Sequence, residues 1–200
     1  MSKKGKRPAL LFFCGLLCVF MLSCAAKREV GPPPVADVFN IKRVAVLPFA
    51  NMSAVPEAGD IVAGFFVTEL FRTKRFYVEE PGNIVQFIGQ ERMSTIGEIE
   101  MEKLKALCSR LNLDAAIVGT VEEFDDGRSS GLPVPIVSVT ARMIEPREGK
   151  IIWSAQNKRK GSDYSIAFDI GKVRTVTALA KKVVSEMVGA LYTEKKEQPK

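Results

Sequence analysis

The chain contains no histidine. That single absence removes Ser-His and Cys-His nucleophile pairs and the commonest zinc ligand. No glycine-rich loop with Lys and Ser or Thr follows a strand-like run, so nucleotide binding has no motif. Tryptophan occurs once, at Trp153. The longest apolar stretch, residues 9–22, has fourteen positions, whereas a permanent membrane helix takes about 20. Acidic residues are missing from the first 23 positions, which hold Lys3, Lys4, Lys6 and Arg7. The net charge of +6 therefore overstates the basic character of the rest: beyond residue 23, 25 basic residues face 23 acidic ones, or +2. A near-neutral remainder has no strong electrostatic footprint for a phosphate backbone, and nucleic acid is not an expected partner. The run Lys158, Arg159, Lys160 reads as a solvated strand end.

What is present begins with three zones: a basic start, the apolar run interrupted only by Gly15, then the small residues Ser23, Ala25 and Ala26. This is the layout of a secretory signal. Met21, Leu22, Ser23 and Cys24 resemble the lipobox of bacterial lipoproteins, with Met21 where leucine is usual. The resemblance implies cleavage between Ser23 and Cys24 and a diacylglyceryl thioether plus an acylated amine on Cys24, with acyl chains of the palmitate kind. Three such chains meet the requirement for stable anchoring without a span. The alternative is an ordinary signal peptide with Cys24 as a bystander thiol. Because Ala25 rather than Asp follows, the resemblance implies sorting to the outer membrane of a Gram-negative host, with the domain facing the periplasm. Cys14 and Cys18 leave with the signal, so only Cys108 remains. It lies on the apolar stripe Met101, Leu104, Cys108, Leu111 and is expected to be a small buried hydrophobe rather than a nucleophile.

Four segments follow from composition: a signal over 1–23, a lipidated Cys24 with a Pro-rich tether over 24–40, a folded domain over 41–193 and a charged tail over 194–200. Extended fully, the tether reaches roughly 50 Å. In the domain, Val44 to Phe49 form a continuous apolar run, the mark of a strand buried on both faces, with Pro48 at its end. Residues 57–74 read as a helix with Ile61, Val62, Phe65, Phe66 and Leu70 on one face, and Arg72, Lys74 and Arg75 at its C-terminal end. A short strand at 76–78, a helix from Pro81 to about Arg92, and another over 98–112 with Asn112 as its stop come next. A third strand starts after Asp114. Residues 136–144 alternate, with Val137, Val139, Ala141 and Met143 inward and Ser138, Thr140 and Arg142 outward. Ile151, Trp153 and Ala155 are expected to return on the apolar face of a hairpin partner. Val173, Val176, Ala180, Val183, Met187 and Leu191 form the stripe of a closing helix. The order β, α, β, α, α, β, β, β, α predicts an α/β fold: a mixed, largely antiparallel sheet of about five strands with helices packed on it.

Three passages together, "VAVLPFANMS" with "VAGFFVTELF", "LNLDAAIVGTVEEF", and "VSVTARMIEPREGKIIWSAQNKRKG", resemble the periplasmic domain of the CsgG-like lipoproteins, the family of the curli-secretion channel. The resemblance spans residues 41–191. The lipoprotein activator of a penicillin-binding protein looks similar in fold and has no pore. A membrane-spanning hairpin would need two stretches of about 9 to 11 alternating residues. The candidate insertion, DDGRSSGLPVP, is short and polar, so the channel activity is not carried over. Ring formation by the domain, and hence a homo-oligomer, stays open.

The best residue group for acid–base chemistry is Glu122, Glu123, Asp125 and Asp126 at a strand end, where paired carboxylates would act on a cell-wall glycan. Consecutive acids point to opposite faces of a regular strand, so a solvated edge is expected instead. Trp153 is expected in the core, with a sugar-stacking role as the alternative. No catalytic, metal or cofactor residues are assigned. The leading expectation is a non-enzymatic, membrane-anchored lipoprotein that binds or assembles envelope components. The alternatives are a subunit of a secretion or pore assembly and a glycan-acting enzyme using the Glu122 to Asp126 cluster.

Overall fold

The computed structural model describes Val38 and residues 40–94, 99–127, 134–166 and 170–193, all within one compact unit, Pro32–Lys200. Cys24, the signal, nearly all of the tether, the tail and the centre of the DDGRSSGLPVP stretch lie outside the described residues.

β1, Arg43–Val46, is buried on both faces as its continuous apolar run predicts. Val44 and Val46 enter one core, while Ala45 and the following Leu47 enter another. Pro48 has no amide to donate, so the run breaks there. Pairing resumes in β2, Ala50–Asn51, and this break makes a sheet of six strands rather than five. The Asn51 side chain then folds the next turn: its Nδ2 donates to the Val55 and Pro56 carbonyls at 2.6 and 3.0 Å, and its Oδ1 accepts from the Ser53 amide at 3.0 Å. Helix α1, Ala58–Thr73, follows at once. A side chain at Gly59 would lie 2.3 Å from the Phe49 carbonyl oxygen, so only glycine allows this approach.

β3, Tyr77–Val78, leads into α2, Pro81–Glu91. Proline suits the first helical turn because its missing amide would be unpaired there, and Glu80 accepts a capping bond from the Asn83 amide at 3.2 Å. α3, Met101–Leu111, stops at Asn112 in the left-handed region, φ 53°, as its sequence predicts. β4, Ala115–Asp125, β5, Ile136–Glu145, and β6, Lys150–Lys160, form an antiparallel meander. A short 3-10 turn, Gly161–Tyr164, precedes the closing helix α4, Val176–Thr193. The strand order is β3-β1-β4-β5-β6, with β2 also on β4. β1 pairs β3 and β4 in parallel and β2 pairs β4 in parallel; the long β4–β5 and β5–β6 ladders are antiparallel.

Two helices cover each of two unequal areas. α1 and α4 bring Val62, Phe66, Leu70, Leu179, Val183 and Met187 onto one face, where the Phe49 and Phe66 rings meet at 5.1 Å. α2 and α3 bring Ile84, Phe87, Leu104, Leu107 and Cys108 onto the other, over Ala45, Leu47, Ala116, Val118 and Ile144. This second layer ends at Ile144. On the same face Arg142, Ser154, Gln156 and Lys158 are exposed.

The hairpin differs from its regular pattern at one point. Met143 pairs Trp153 but Ile144 pairs Ile151, so Ile152 is an extra residue in a β-bulge. The period-two row therefore slips: Ile152 and Trp153 are both buried, and Ile151, expected inward, is 41% exposed. Buried Trp153 belongs to the core and offers no stacking platform.

These placements separate two apolar substitutions. Phe66→Ala, at a fully buried site, is expected to cost about 3–5 kcal/mol in urea unfolding, whereas Ile151→Ala is expected to cost less than about 1 kcal/mol.

Candidate functional site

The area of the sheet that no described helix covers is where the acidic cluster lands. On β5, Ser138 and Thr140 alternate with the core residues Val137 and Val139, and their cross-strand partners on β6 are Lys158 and Gln156. On β4, Val121 pairs Val139 but Glu123 pairs Ser138, which leaves Glu122 as the extra residue of a second bulge. The bulge cancels the alternation expected for consecutive acids. Glu122 and Glu123 both turn to the uncovered face, where Glu122 meets Ser138, Thr140 and Gln156 and Glu123 meets Lys158.

Glu122 is the hub. Its Oε2 accepts from Ser138 Oγ at 2.5 Å and its Oε1 from Thr140 Oγ1 at 2.6 Å. Gln156 Nε2 adds longer contacts of 3.5 and 3.4 Å. Ser138 is only 4% exposed, so its hydroxyl needs a partner, and this carboxylate supplies one. Burial by itself would raise the Glu122 carboxyl. The hydrogen bonds from Ser138, Thr140 and Gln156, with the charge of Lys158, outweigh it and hold the group below the usual carboxylate range. Beside it, Glu123 Oε1 takes a 2.6 Å bond from Lys158 Nζ. Asp125 closes a local turn by accepting from the Gly127 amide at 2.8 Å.

This chemistry differs from that of a glycan-cleaving pair. A general acid needs a carboxyl held protonated near neutral pH, by burial or by a like charge. Glu122 is held ionised by donors, and Glu123 is bound to a cation. The cluster also lines an open groove of about 560 Å³ together with Met52, Val55, Ile136 and Val176. Among the described residues, no group of three or more His, Cys, Asp or Glu is arranged to hold a metal ion, and no helix is long and apolar enough to cross a membrane.

Cys108 lies where its stripe predicts. It is 2% exposed, and burial, with a smaller push from Glu145, moves its thiol up to about 12. The thiolate is the reactive form, so this cysteine is inert.

A second polar hub has no counterpart in the sequence reading. Glu186 on α4 accepts from Tyr164 Oη at 2.6 Å, Asn157 Nδ2 at 2.9 Å and Arg159 Nε at 3.0 Å. Burial opposes its ionisation, but these donors and the Arg159 charge lower its carboxyl pKa. Tyr164 is pushed up to about 12 by burial first and by Glu186 next, and the Lys182 ammonium lies 4.2 Å over its ring. The signal available was weak: one acid beside the apolar stripe of α4, facing the polar row of β6.

No model of a known protein family matches the chain, and no curated protein matches it in sequence. Solved structures do. A PelC dodecamer from Paraburkholderia phytofirmans is similar with a TM-score of 0.55 at 19% identity, covering 76% of this chain and 90% of that one. The hypothetical protein CT253 from Chlamydia trachomatis has a TM-score of 0.50 at 13% identity, over 76% and 95%. Lipoprotein GNA1162 from Neisseria meningitidis has a TM-score of 0.49 at 20% identity, over 75% and 97%. With the PelC and CT253 structures, at these identities, the shared property is the fold.

The Glu122 hub has a pH signature. A carboxyl whose folded pKa is depressed contributes stability above its unfolded value, about 4.3, and loses it as pH falls through the folded value. Glu122→Gln is therefore expected to lower stability by on the order of 1 kcal/mol at pH 7. That difference from wild type should shrink below about pH 4, as read by urea midpoints across pH.

Proposed function

We propose that the protein is a lipid-anchored, periplasm-facing lipoprotein of the outer membrane, akin to the CsgG-like group. In this reading it binds or assembles other envelope components and performs no chemistry of its own. The anchoring rests on one boundary, the apolar run 9–22 ending at Ser23 and Cys24. The non-enzymatic role is supported by the state of the acidic cluster. Glu122 and Glu123 are engaged by Ser138, Thr140 and Lys158, so the uncovered face is a fixed polar display suited to recognition rather than a reactive pair. The CsgG-like kinship rests on the three quoted passages.

A second reading, a subunit of a larger ring, has the dodecameric PelC as its motive. It separates from the first by the mass of detergent-extracted protein: a monomer supports a single-copy adaptor, a closed multiple of the chain supports the ring.

The anchor is tested on the mature protein. Mass spectrometry is expected to find a chain beginning at Cys24 with three acyl chains, and cell fractionation to find it with membranes. Cys24→Ala is expected to abolish the modification. An unmodified mature chain in the soluble fraction would contradict the reading.

A further inference from the structure

The stretch FRTKRFY, residues 71–77, closes α1 and enters β3. It carries an unusual surface. Phe71 is 72% exposed and Tyr77 is 58% exposed. Arg72, Lys74 and Arg75 between them are exposed too, as is Lys42, which lies beside Tyr77: the Tyr77 amide donates to the Lys42 carbonyl at 2.7 Å. The Arg43 guanidinium sits 4.2 Å over the Tyr77 ring.

The loop is held in place from below. Phe76 is 8% exposed and belongs to the main core, and Lys74 adopts the left-handed region with its amide on the Phe71 carbonyl at 3.1 Å. The nearby acids turn inward or are engaged. Glu69 pairs Arg72 at 2.7 Å and buried Glu79 pairs Arg43 at 3.3 Å. Asp114 accepts from the Lys42 and Arg43 amides, and Glu80 caps α2. Among the described residues of this stretch, what meets solvent is cationic and aromatic.

Cations at a helix C-terminus have a local explanation, since they offset the helix dipole. The exposed Phe71 ring has no such explanation, and the Tyr77 ring, stacked under Arg43, still leaves most of its surface to solvent. Aromatic side chains set among Lys and Arg are the composition of a surface that seats at a lipid interface, with rings at headgroup level and cations on phosphates.

The position fits as well. β1 starts at Arg43 beside Tyr77, so the chain enters the domain at this same end, through buried Val38 and Ile41. Fourteen positions separate Cys24 from Val38, a reach of roughly 50 Å at most. The opposite end of the sheet mixes Glu123 and Asp125 with Lys158 and Lys160 and shows no comparable aromatic pair among the described residues.

We propose that Lys42, Phe71, Lys74 and Tyr77 form a second membrane contact that seats the tether-proximal end of the domain on anionic phospholipid headgroups. The choice of occupant rests on the lipid-anchor reading of Cys24. The contact fixes the domain's orientation, directing the far ends of β4 and β6 away from the bilayer.

The test uses the chain from residue 24 onward with Cys24→Ser, so that no acyl chain contributes, and vesicles of phosphatidylcholine with or without phosphatidylglycerol. Co-sedimentation is expected with the anionic vesicles only, and is expected to fall with added salt. Lys42→Gln with Lys74→Gln is expected to lower partitioning about 25-fold, at roughly fivefold per cation near an anionic surface. Phe71→Ser with Tyr77→Ser is expected to weaken it further, and Lys160→Gln, at the far end of the sheet, to leave it unchanged. Circular dichroism confirms that each variant is folded. Equal binding to neutral vesicles, no binding, or binding indifferent to these patch residues overturns the proposal. Loss of an in-cell crosslink to an acidic protein without any vesicle binding would assign the patch to that partner instead. Lipidated Cys24 without vesicle binding sinks the patch and leaves the anchor; vesicle binding with an unmodified Cys24 in cells does the reverse.

Discussion

The carboxylate of Glu122, turned onto the sheet's uncovered face by a one-residue bulge, is the interaction that organises the polar face of the strand meander. β4 is asked for two things along its length. Its first half, Ala115 to Val118, is buried on both faces between the two helical layers. Its second half keeps one face in the core through Val121 and Phe124 while the other meets polar side chains. A regular strand would send Glu122 and Glu123 to opposite sides, and one of them would face α1 and α4 with its charge in the core. The extra residue avoids this and places both acids among hydroxyl, amide and ammonium donors. Small residues complete the strand: a side chain at Gly119 would meet the Phe49 ring at 2.3 Å, the ring that packs on Phe66.

Much of the fold is legible in the sequence because local physics writes it. The double-sided burial of β1, Pro81 opening α2, the Asn112 stop and the amphipathic faces of α1 and α4 each follow from a pattern within a few residues. What was hidden depends on pairing between distant segments. The slips at Glu122 and Ile152 are set by register against β5, and no alternation along one strand announces them. They alone account for the misjudged facing of Ile151 and of the consecutive acids. The division of the first strand at Pro48 was half visible: the proline marked an end, but the return of Ala50 and Asn51 to pair with β4 required knowing where β4 lies. The Glu186 hub was hidden for the same reason, since its donors come from β6 and from the 3-10 turn.

The functional picture follows from how charge is used. The domain's acids at the strand ends serve structure, its one described cysteine is sealed in an apolar layer, and its exposed rings collect at the end where the chain arrives. A protein built in this way presents surfaces. Its uncovered polar face and its aromatic and basic end lie on different parts of the sheet, and in the proposed reading one serves a partner and the other lipid.

The central physical claim is that Glu122 is an ionised hydrogen-bond acceptor rather than an acid–base group. Carbon-detected NMR titration of its carboxyl in the folded protein tests this most directly. A midpoint below about 4.3, the ordinary glutamate value, is the expected result; a midpoint raised toward about 6, where a catalytic acid would hold its proton, would contradict it.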